Sequence, residues 1–139
     1  MAEHLGQRPC TNARFLVDLG QRVDPRAPAA GFAEVIFPVL VAAPDDVVMG
    51  VQAPERLVLR RGVTGALDLV RWWDQARRGK APKRRHVKIE LLGDDDAVVM
   101  TWRFRNARPC SLAYSPLRAS EGVVLMETIE LAFDTVEVS

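Results

Sequence analysis

Hydrophobic and polar residues alternate along several stretches of this chain, most regularly between residues 86 and 105. Val87, Ile89 and Leu91 form one apolar face, and a polar turn follows at residues 93–96. The return stretch keeps the alternation, with apolar residues at Val98, Met100, Trp102 and Phe104. Because successive side chains of a strand point to opposite faces of a sheet, this pattern predicts a β-hairpin whose second strand ends at residues 106–109.

The same alternation predicts further strands before and after the hairpin. They cover residues 12–19, 31–37, 56–60 and 123–133. The last of these is predicted to be the longest strand. Residues 112–119 fit either a short strand or a loop around Pro116, and residues 39–54 fit either short strands at a sheet edge or an extended loop. Residues 20–30 are expected to form a loop, and the polar residues 1–11 are expected to be flexible.

A helical period predicts one helix at residues 66–78. Its apolar stripe consists of Leu69, Trp72, Trp73 and Ala76. Thr64 is expected to cap the N-terminus, because its hydroxyl can accept a hydrogen bond from an unpaired N–H of the first turn. Arg77 would lie in the last turn, at the negative end of the helix dipole, and Gly79 is the expected end of the helix.

These elements predict a mostly β (α+β) fold, which is an antiparallel β-barrel or sandwich of about six to eight strands with one flanking α-helix. Residues 1–139 are expected to form a single domain, since this length suits one hydrophobic core. The composition is 48% hydrophobic and 27% charged, with a formal net charge of +1. Such values exclude a wholly disordered or strongly basic chain.

The sequence contains no clear signal for membrane insertion, secretion or disulfide formation. The sequence has no run of 18 apolar residues and no signal-peptide pattern at its start, so we expect no membrane-spanning segment and a cytoplasmic location. Cys10 and Cys110 have no metal-binding spacing, and reduced thiols are favoured over a disulfide in such a chain. His86 is expected to face solvent or a neighbouring subunit.

No constellation of catalytic, cofactor-binding or metal-ligating residues is predicted. The acidic residues 94–96 are consecutive in a turn, where their side chains diverge, and the distant glutamate of a calcium loop is missing. Glu127 falls in phase with the apolar face of the last predicted strand. Because an unpaired buried carboxylate is costly, Glu127 is expected either to pair with Arg103 or Arg105 or to face a subunit interface.

Charge is unevenly distributed along the sequence. Residues 71–88 contain eight Lys or Arg and one acid, and five acids but no basic residue follow Arg118. Separate positive and negative surfaces would favour self-association. The candidate interface residues are Arg84, Arg85, Arg103, Arg105, Glu127 and Glu130. In an alternative reading, the basic surface binds nucleic acid or an acidic protein, with Trp72 and Trp73 as stacking platforms, although the near-neutral overall charge disfavours a specific nucleic-acid ligand.

Several ordered segments carry a resemblance to a known family. They are FLVDLG at 15–20, GFAEV at 31–35, LVLRRGVTGALDLVRWW at 57–73, RRHVKIELL at 84–92, WRFRNARP at 102–109, SPLRA at 115–119 and METIELAF at 126–133. Together they cover most of the chain in the expected order. The sequence resembles the contractile phage tail tube family, which also supplies the inner tubes of contractile injection systems.

The resemblance implies a β-barrel with one flanking helix that assembles into a hexameric ring. Strands of neighbouring subunits would line a central channel, and rings would stack into a tube inside a contractile sheath. It implies no catalytic residue and no cofactor. The implied partners are further copies of the chain together with sheath and baseplate proteins, and the implied site of assembly is the cytoplasm, before incorporation into a phage tail-like particle.

One segment departs from the family pattern. Residues 37–55 are short and apolar, whereas family tubes usually carry a longer polar and glycine-rich insertion at this place, which helps one ring to grip the next. This departure favours a second interpretation, in which the chain forms a tube-initiator or adaptor ring of the same machine.

Overall fold

The structure is a computed structural model that describes residues 14–20, 31–40, 56–79 and 84–139. These residues form seven strands and one helix. In chain order they are β1 (Phe15–Asp18), β2 (Glu34–Ile36), β3 (Leu57–Gly62), α1 (Asp68–Arg77), β4 (Arg85–Leu92), β5 (Val98–Tyr114), β6 (Met126–Ala132) and β7 (Thr135–Val138). The predicted fold class, a mostly β antiparallel architecture with one flanking helix, is confirmed.

All strand pairs are antiparallel, and the strand order of the sheet is β1-β4-β5-β6-β3-β2, with β7 also paired to β5. The first part of β5 pairs with β4 and β7, whereas its last part pairs with β6. β6 and β7 follow each other along one side of β5, since Ala132 lies opposite Arg108 and Thr135 lies opposite Arg105. The long strand β5 therefore connects the two halves of the sheet.

The prediction that a strand ends at residues 106–109 is wrong, because β5 continues to Tyr114. The chain bends at Asn106 instead, where φ is +56° and the register with β4 shifts. Asparagine is one of the few non-glycine residues that adopt this left-handed conformation readily. A second register shift follows between Pro109 and Ser111. Bulges of this kind let a strand change direction without ending.

The C-terminal strands also differ from the prediction. β6 begins at Met126 rather than at Val123 and is much shorter than β5. A separate strand, β7, was not predicted. Phe133 and Asp134 separate it from β6, and the Asp134 N–H donates a 2.9 Å hydrogen bond to the Arg105 carbonyl opposite the bend of β5. The two C-terminal strands therefore pair in succession along β5, and the pairing is interrupted where β5 bends.

The helix is confirmed, but its start was misplaced. It begins at Asp68, and Leu67 occupies the N-cap position without a side-chain capping bond. Thr64 is not the cap, since its Oγ1 accepts only from the N–H of Ala66, at 3.4 Å, before the helix begins. Gly79 ends the helix as predicted, with φ of +69°.

The hydrophobic core lies between the two halves of the sheet and the buried side of α1. Its fully buried side chains from the strands are Leu57, Leu59, Val87, Ile89, Phe104, Ile129 and Leu131. The helix contributes Leu69 and Trp72, which are also fully buried, whereas Trp73 and Ala76 of the predicted stripe are only partly buried. Burial of large apolar side chains at these positions is the main stabilising term of such a fold.

Among the described residues, β1 and β2 are the terminal strands of the sheet, and each pairs on one side only. No helix in the described segments is long and apolar enough to cross a membrane. The predictions for residues 1–11, and for most of residues 20–30 and 39–54, lie outside the described residues. The expectation of a single domain stays a prediction.

Candidate functional site

A buried ion pair joins β3 to β6 on the inner face of the sheet. Arg61 and Glu127 are directly opposite in the register, and their exposed fractions are 1% and 2%. The Arg61 Nε donates a 2.6 Å hydrogen bond to Glu127 Oε1. The same guanidinium binds Asp68 in the first turn of α1, with 3.2 Å between Nη1 and Oδ2 and a further contact through Nη2. One side chain thereby ties β3 to β6 and to the helix.

Electrostatics around this pair favour the charged state of the arginine. Burial alone would lower the pKa of Arg61, but the hydrogen bonds to Asp68 and Glu127 and the charges of these two carboxylates together outweigh it, so the pKa is raised above its ordinary value. Burial, followed by the charge of Glu127, raises the pKa of the neighbouring Tyr114. The Phe32 ring packs against the guanidinium, 5.4 Å from its Cζ. The arrangement is that of a structural ion pair, because the Glu127 carboxylate is engaged by Arg61.

The prediction that Glu127 pairs with Arg103 or Arg105 is wrong. Both arginines lie on the outer face of β5, where Arg103 donates to Ser139 Oγ at 3.0 Å and Arg105 binds Glu137 at 2.7 Å. Sequence reasoning missed Arg61, although a signal was present. Leu57, Leu59 and Arg61 are in phase on β3, so an arginine on the apolar face of one strand was available for the carboxylate on the apolar face of another.

Charge that is separated along the sequence is not separated in the fold. The pairing of β6 and β7 with earlier strands places acids of the C-terminal segment beside cations. Four of the five acids that follow Arg118 have an arginine partner. The fifth, Glu130, accepts a 2.6 Å hydrogen bond from the Ser111 hydroxyl. The pairs are Glu121–Arg118, Glu127–Arg61, Asp134–Arg84, Asp134–Arg108 and Glu137–Arg105. The predicted segregation into a positive and a negative surface is therefore wrong for these residues.

Two of these surface carboxylates have lowered pKa values. Hydrogen bonds from Asn106 and Arg108 lower the pKa of Asp134, and the hydrogen bond from Arg105 lowers the pKa of Glu137. The same pairing raises the pKa of Arg105. Because these groups are exposed, water and salt screen the pairs, and each contributes little to stability. The Arg105–Glu137 pair links β7 to β5, and the Arg108–Asp134 pair links the residue before β7 to β5.

Arg85, another candidate interface residue, has a buried polar atom without a hydrogen-bond partner in the described part of the chain. Its guanidinium packs over the ring of the fully buried Trp72, with 4.3 Å from Cζ to the ring centroid. Its Nη1 is buried and has no hydrogen-bond partner among the residues that the structure describes. Burial lowers the pKa of this arginine, and the charge of Asp68 partly offsets the effect.

The structure does not bring the six candidate interface residues together in one place. Arg103 and Arg105 lie together on the exposed face of β5, and Arg84 is exposed beside Asp134. Arg85 and Glu130 are partly buried, and Glu127 is inside the core. Glu127 is thus an internal structural residue, while the placement of the other five in a subunit interface stays a prediction.

The structure removes the main support for the alternative interpretation as a nucleic-acid-binding module, which needs exposed tryptophan rings for base stacking. Trp72 is fully buried, so no base can stack on it. Trp73 is partly covered by Arg77, whose Cζ lies 5.3 Å from the ring centroid. Arg77 and Arg78 also pair with Asp74. In the described segments, the basic surface is thus partly neutralised on α1, whereas the cations of residues 84–88 lie on or next to β4.

The acidic turn is not arranged as a cation site. Asp96 pairs with Arg14, and Asp95 Oδ1 accepts a 3.1 Å hydrogen bond from the Ala97 N–H. Within the described ranges, no group of three or more His, Cys, Asp or Glu side chains is placed to hold a metal ion. His86 is exposed, in agreement with its predicted orientation, and the Cys110 thiol is free and exposed.

Comparison with known proteins identifies the architecture. The model of the family described as T4-like virus tail tube protein gp19 matches residues 45–137, which is more than half of the chain. Among curated proteins, no relative matches.

Three solved structures illustrate the likeness. A chain from the sheath–tube complex of the PVC extracellular contractile injection system in its extended state has a TM-score of 0.73 and 22% identity, with 100% of this chain and 97% of that chain covered. A chain from the anti-feeding prophage (AFP) baseplate has a TM-score of 0.68 and 24% identity, with 95% and 96% covered. Hcp1 from Flavobacterium johnsoniae has a TM-score of 0.57 and 14% identity, with 90% and 94% covered. At these identities the likeness shows a shared fold.

Proposed function

Because this chain belongs to the T4-like virus tail tube protein gp19 family and is thus a structural tube protein, we propose that six copies of it close into a ring of the inner tube of a contractile, tail-like particle. The observation that carries this proposal is the family match over residues 45–137. The match spans β3, α1 and all later strands, and therefore includes nearly all of the hydrophobic core.

The open sheet supports closure through neighbouring copies. Within the described part of the chain, β1 and β2 have unpaired edges. Such edges present unsatisfied backbone N–H and C=O groups that a strand from another chain can bind. The number six is supported by the relative in the AFP baseplate, a structure that is described as 6-fold symmetrised. We expect Arg84, Arg85, Arg103, Arg105 and Glu130 to lie at or near the contacts between copies.

The expected partners follow from the same comparison. The structure that contains the PVC relative is a sheath–tube complex, and the AFP relative lies in a baseplate. We therefore propose sheath and baseplate proteins as partners of this chain, with assembly in the cytoplasm before incorporation into the particle. The proposed role is mechanical and requires no catalytic residue, since the buried carboxylate Glu127 serves an internal ion pair with Arg61.

A second candidate function within the same machine is a tube-initiator or adaptor ring. The likeness to a chain of the AFP baseplate, at 24% identity, favours it. The distinction between the two roles lies in stacking, because a main tube subunit stacks ring upon ring whereas an initiator forms a single ring on its neighbour.

Negative-stain electron microscopy of the purified protein, combined with light scattering, tests the proposal. We expect six-fold rings with a central hole and a mass six times that of one chain. Stacked rings of variable length would identify a main tube subunit, and single rings would identify an initiator or adaptor. A particle that stays monomeric across the accessible concentration range would contradict the proposed ring.

A further inference from the structure

The connection between β5 and β6 exposes an unusual amount of apolar surface. It consists of residues 115–125, named here the 115–125 arm. Leu117, Val123 and Val124 on this arm are exposed to 85%, 68% and 70%. Isolated exposed apolar residues are common, but three large ones on one short connection form a patch typical of a protein contact.

The base of the arm is fixed to the sheet. The Ser115 N–H donates to the Met126 carbonyl at 2.9 Å, and the Met126 N–H donates to Ser115 Oγ at 2.8 Å. The Val63 N–H donates to the Leu125 carbonyl at 2.8 Å. The arm therefore projects from a defined position, so its apolar side chains are presented to a partner at little entropic cost.

A second exposed apolar surface lies at the other end of the sheet and is named here the Val98 end. It contains Phe37, Val39, Leu40, Val98, Met100 and Val138, all of which are exposed. Val138 lies opposite Trp102 in the register, and the Phe37 and Trp102 rings are 4.6 Å apart. These contacts join Phe37, which follows β2, to β5 and β7. Val98 and Met100 lie on the same face of β5 as Trp102, because side chains two residues apart on a strand share a face.

The two surfaces lie at opposite ends of the ribbon that β5 forms with the successive strands β6 and β7. Tyr114 pairs with Glu127 next to the arm, whereas Trp102 pairs with Val138 at the far end. The segment after Ile36 also runs away from the arm, since Ile36 lies opposite Val58 and Glu34 lies opposite Arg60 on β3. A single molecule therefore cannot cover one surface with the other.

We propose that the 115–125 arm of one copy docks on the Val98 end of another copy, in a head-to-tail contact between subunits. This inference rests on the proposed function, because it names the surfaces by which copies of a tube protein meet. A contact between two different surfaces of identical chains is heterologous, so it repeats from copy to copy and builds rings or stacks. Each copy then buries both of its exposed apolar surfaces.

The polar rims of the two surfaces are complementary as well. Arg118 on the arm is exposed and forms a 3.4 Å surface ion pair with Glu121 of the same arm, and exposed pairs of this kind are weak. The turn beside Val98 carries Asp94 and Asp95, which have no ion-pair partner among the described residues. Arg118 can exchange Glu121 for Asp94 or Asp95 of another copy, which orients the two copies during encounter, while the apolar centre supplies the affinity.

Cysteine cross-linking between two differently labelled populations tests the contact directly. In a background with Cys10→Ser and Cys110→Ser, one population carries Leu117→Cys and the other carries Val98→Cys. We expect an oxidised heterodimer when the two are mixed, and no dimer when either is oxidised alone. Gln75→Cys, on the exposed side of α1, replaces Leu117→Cys in the matched control and is expected to give no heterodimer with Val98→Cys.

A second pair of variants measures the contribution to assembly. Leu117→Glu and Val98→Glu each place a charge in the apolar centre, and each is expected to raise the protein concentration needed for assembly at least about tenfold. Gln75→Glu is expected to leave it unchanged. Circular dichroism and thermal unfolding of the unassembled chains establish that the variants are folded.

The outcomes separate this inference from the proposed function. Rings or tubes of Leu117→Glu and Val98→Glu that form as readily as those of the unmodified chain, together with the absence of the heterodimer, would overturn the docking contact and leave the tube assignment intact. If the unmodified chain formed no ring at any concentration and the heterodimer were absent, both would be overturned. A heterodimer with impaired assembly of both glutamate variants supports the contact.

Discussion

Arg61 Nε and Glu127 Oε1 are 2.6 Å apart inside the core, on the facing strands β3 and β6. An exposed pair of the same chemistry lies one residue away, where Arg60 Nη1 and Glu34 Oε1 are 2.9 Å apart across β3 and β2. The two pairs differ mainly in burial, because Arg61 and Glu127 are almost fully buried whereas Arg60 and Glu34 are well exposed. This contrast allows the effect of burial to be measured within one protein.

Glu127→Gln is expected to destabilise the protein by about 3 kcal/mol, because it leaves the buried Arg61 with an incomplete set of charged partners. Glu34→Gln is the matched control and is expected to cost less than about 1 kcal/mol, since exposed ion pairs are screened by water. Urea unfolding of the unassembled chains measures both free energies. Equal costs for the two variants would contradict the structural role assigned to the buried pair.

Replacing both members of the buried pair tests the same relationship from another direction. The double variant Arg61→Met/Glu127→Leu is expected to be more stable than either single replacement, because it removes both fully buried charges. Asp68 also loses its partner, but its side chain is 28% exposed, so water can solvate it. The double-mutant cycle should give a coupling energy of at least about 1 kcal/mol. Additive effects of the two single replacements would show that the side chains do not interact.

Asn106 is expected to tolerate glycine better than alanine. Its φ of +56° is costly for a residue with a Cβ, and its Nδ2 donates a 2.9 Å hydrogen bond to Asp134 Oδ2. Asn106→Gly loses the hydrogen bond only, whereas Asn106→Ala loses the bond and keeps the backbone cost, so alanine should cost about 1 kcal/mol more. Thermal unfolding gives the order of stabilities. An alanine variant as stable as the glycine variant would argue against the bend of β5 at this position.

The Arg105–Glu137 pair predicts a specific pH dependence. The hydrogen bond from Arg105 lowers the pKa of Glu137 in the folded chain from an ordinary value of 4.5. The stability from this pair is therefore fully present above about pH 4.5 and is lost as the pH falls through the lowered pKa of the folded state. In an NMR titration of the Glu137 carboxyl carbon, the midpoint should lie below 4.5 and should rise in Arg105→Met.

Arg118→Met is the control for this titration, since Arg118 pairs with Glu121 and not with Glu137. It should leave the Glu137 midpoint unchanged. A Glu137 midpoint that does not respond to Arg105→Met would mean that the carboxylate and the guanidinium are not paired in solution.

The strands with strict alternation could be predicted from the sequence because their local pattern and their burial agree. Val87 and Ile89 on β4 and Phe104 on β5 were assigned to the apolar face and are fully buried. The helix stripe was also identified, since Leu69 and Trp72 follow the helical period and are buried. In these elements, the residues that the sequence period places on the apolar face are the residues that tertiary packing buries.

Other features depended on residues that are distant in the sequence. The bend of β5 at Asn106 and its passage through Pro109 are permitted by pairing with β4 on one side and β6 on the other, which no local pattern reveals. The partner of Glu127 could not be found without the register of β3 and β6. The error in the predicted helix N-terminus has a different origin. The first turn of α1 is held by the ion pair between Asp68 and Arg61, so the helix begins at Asp68 without a cap from Thr64.

Native mass spectrometry of the assembled protein, at several concentrations, tests the central claim most directly. The claim that this family member forms a tube ring predicts a species of six copies, or integer multiples of six if rings stack. A dominant species with a different copy number, or a monomer at every concentration, would contradict it.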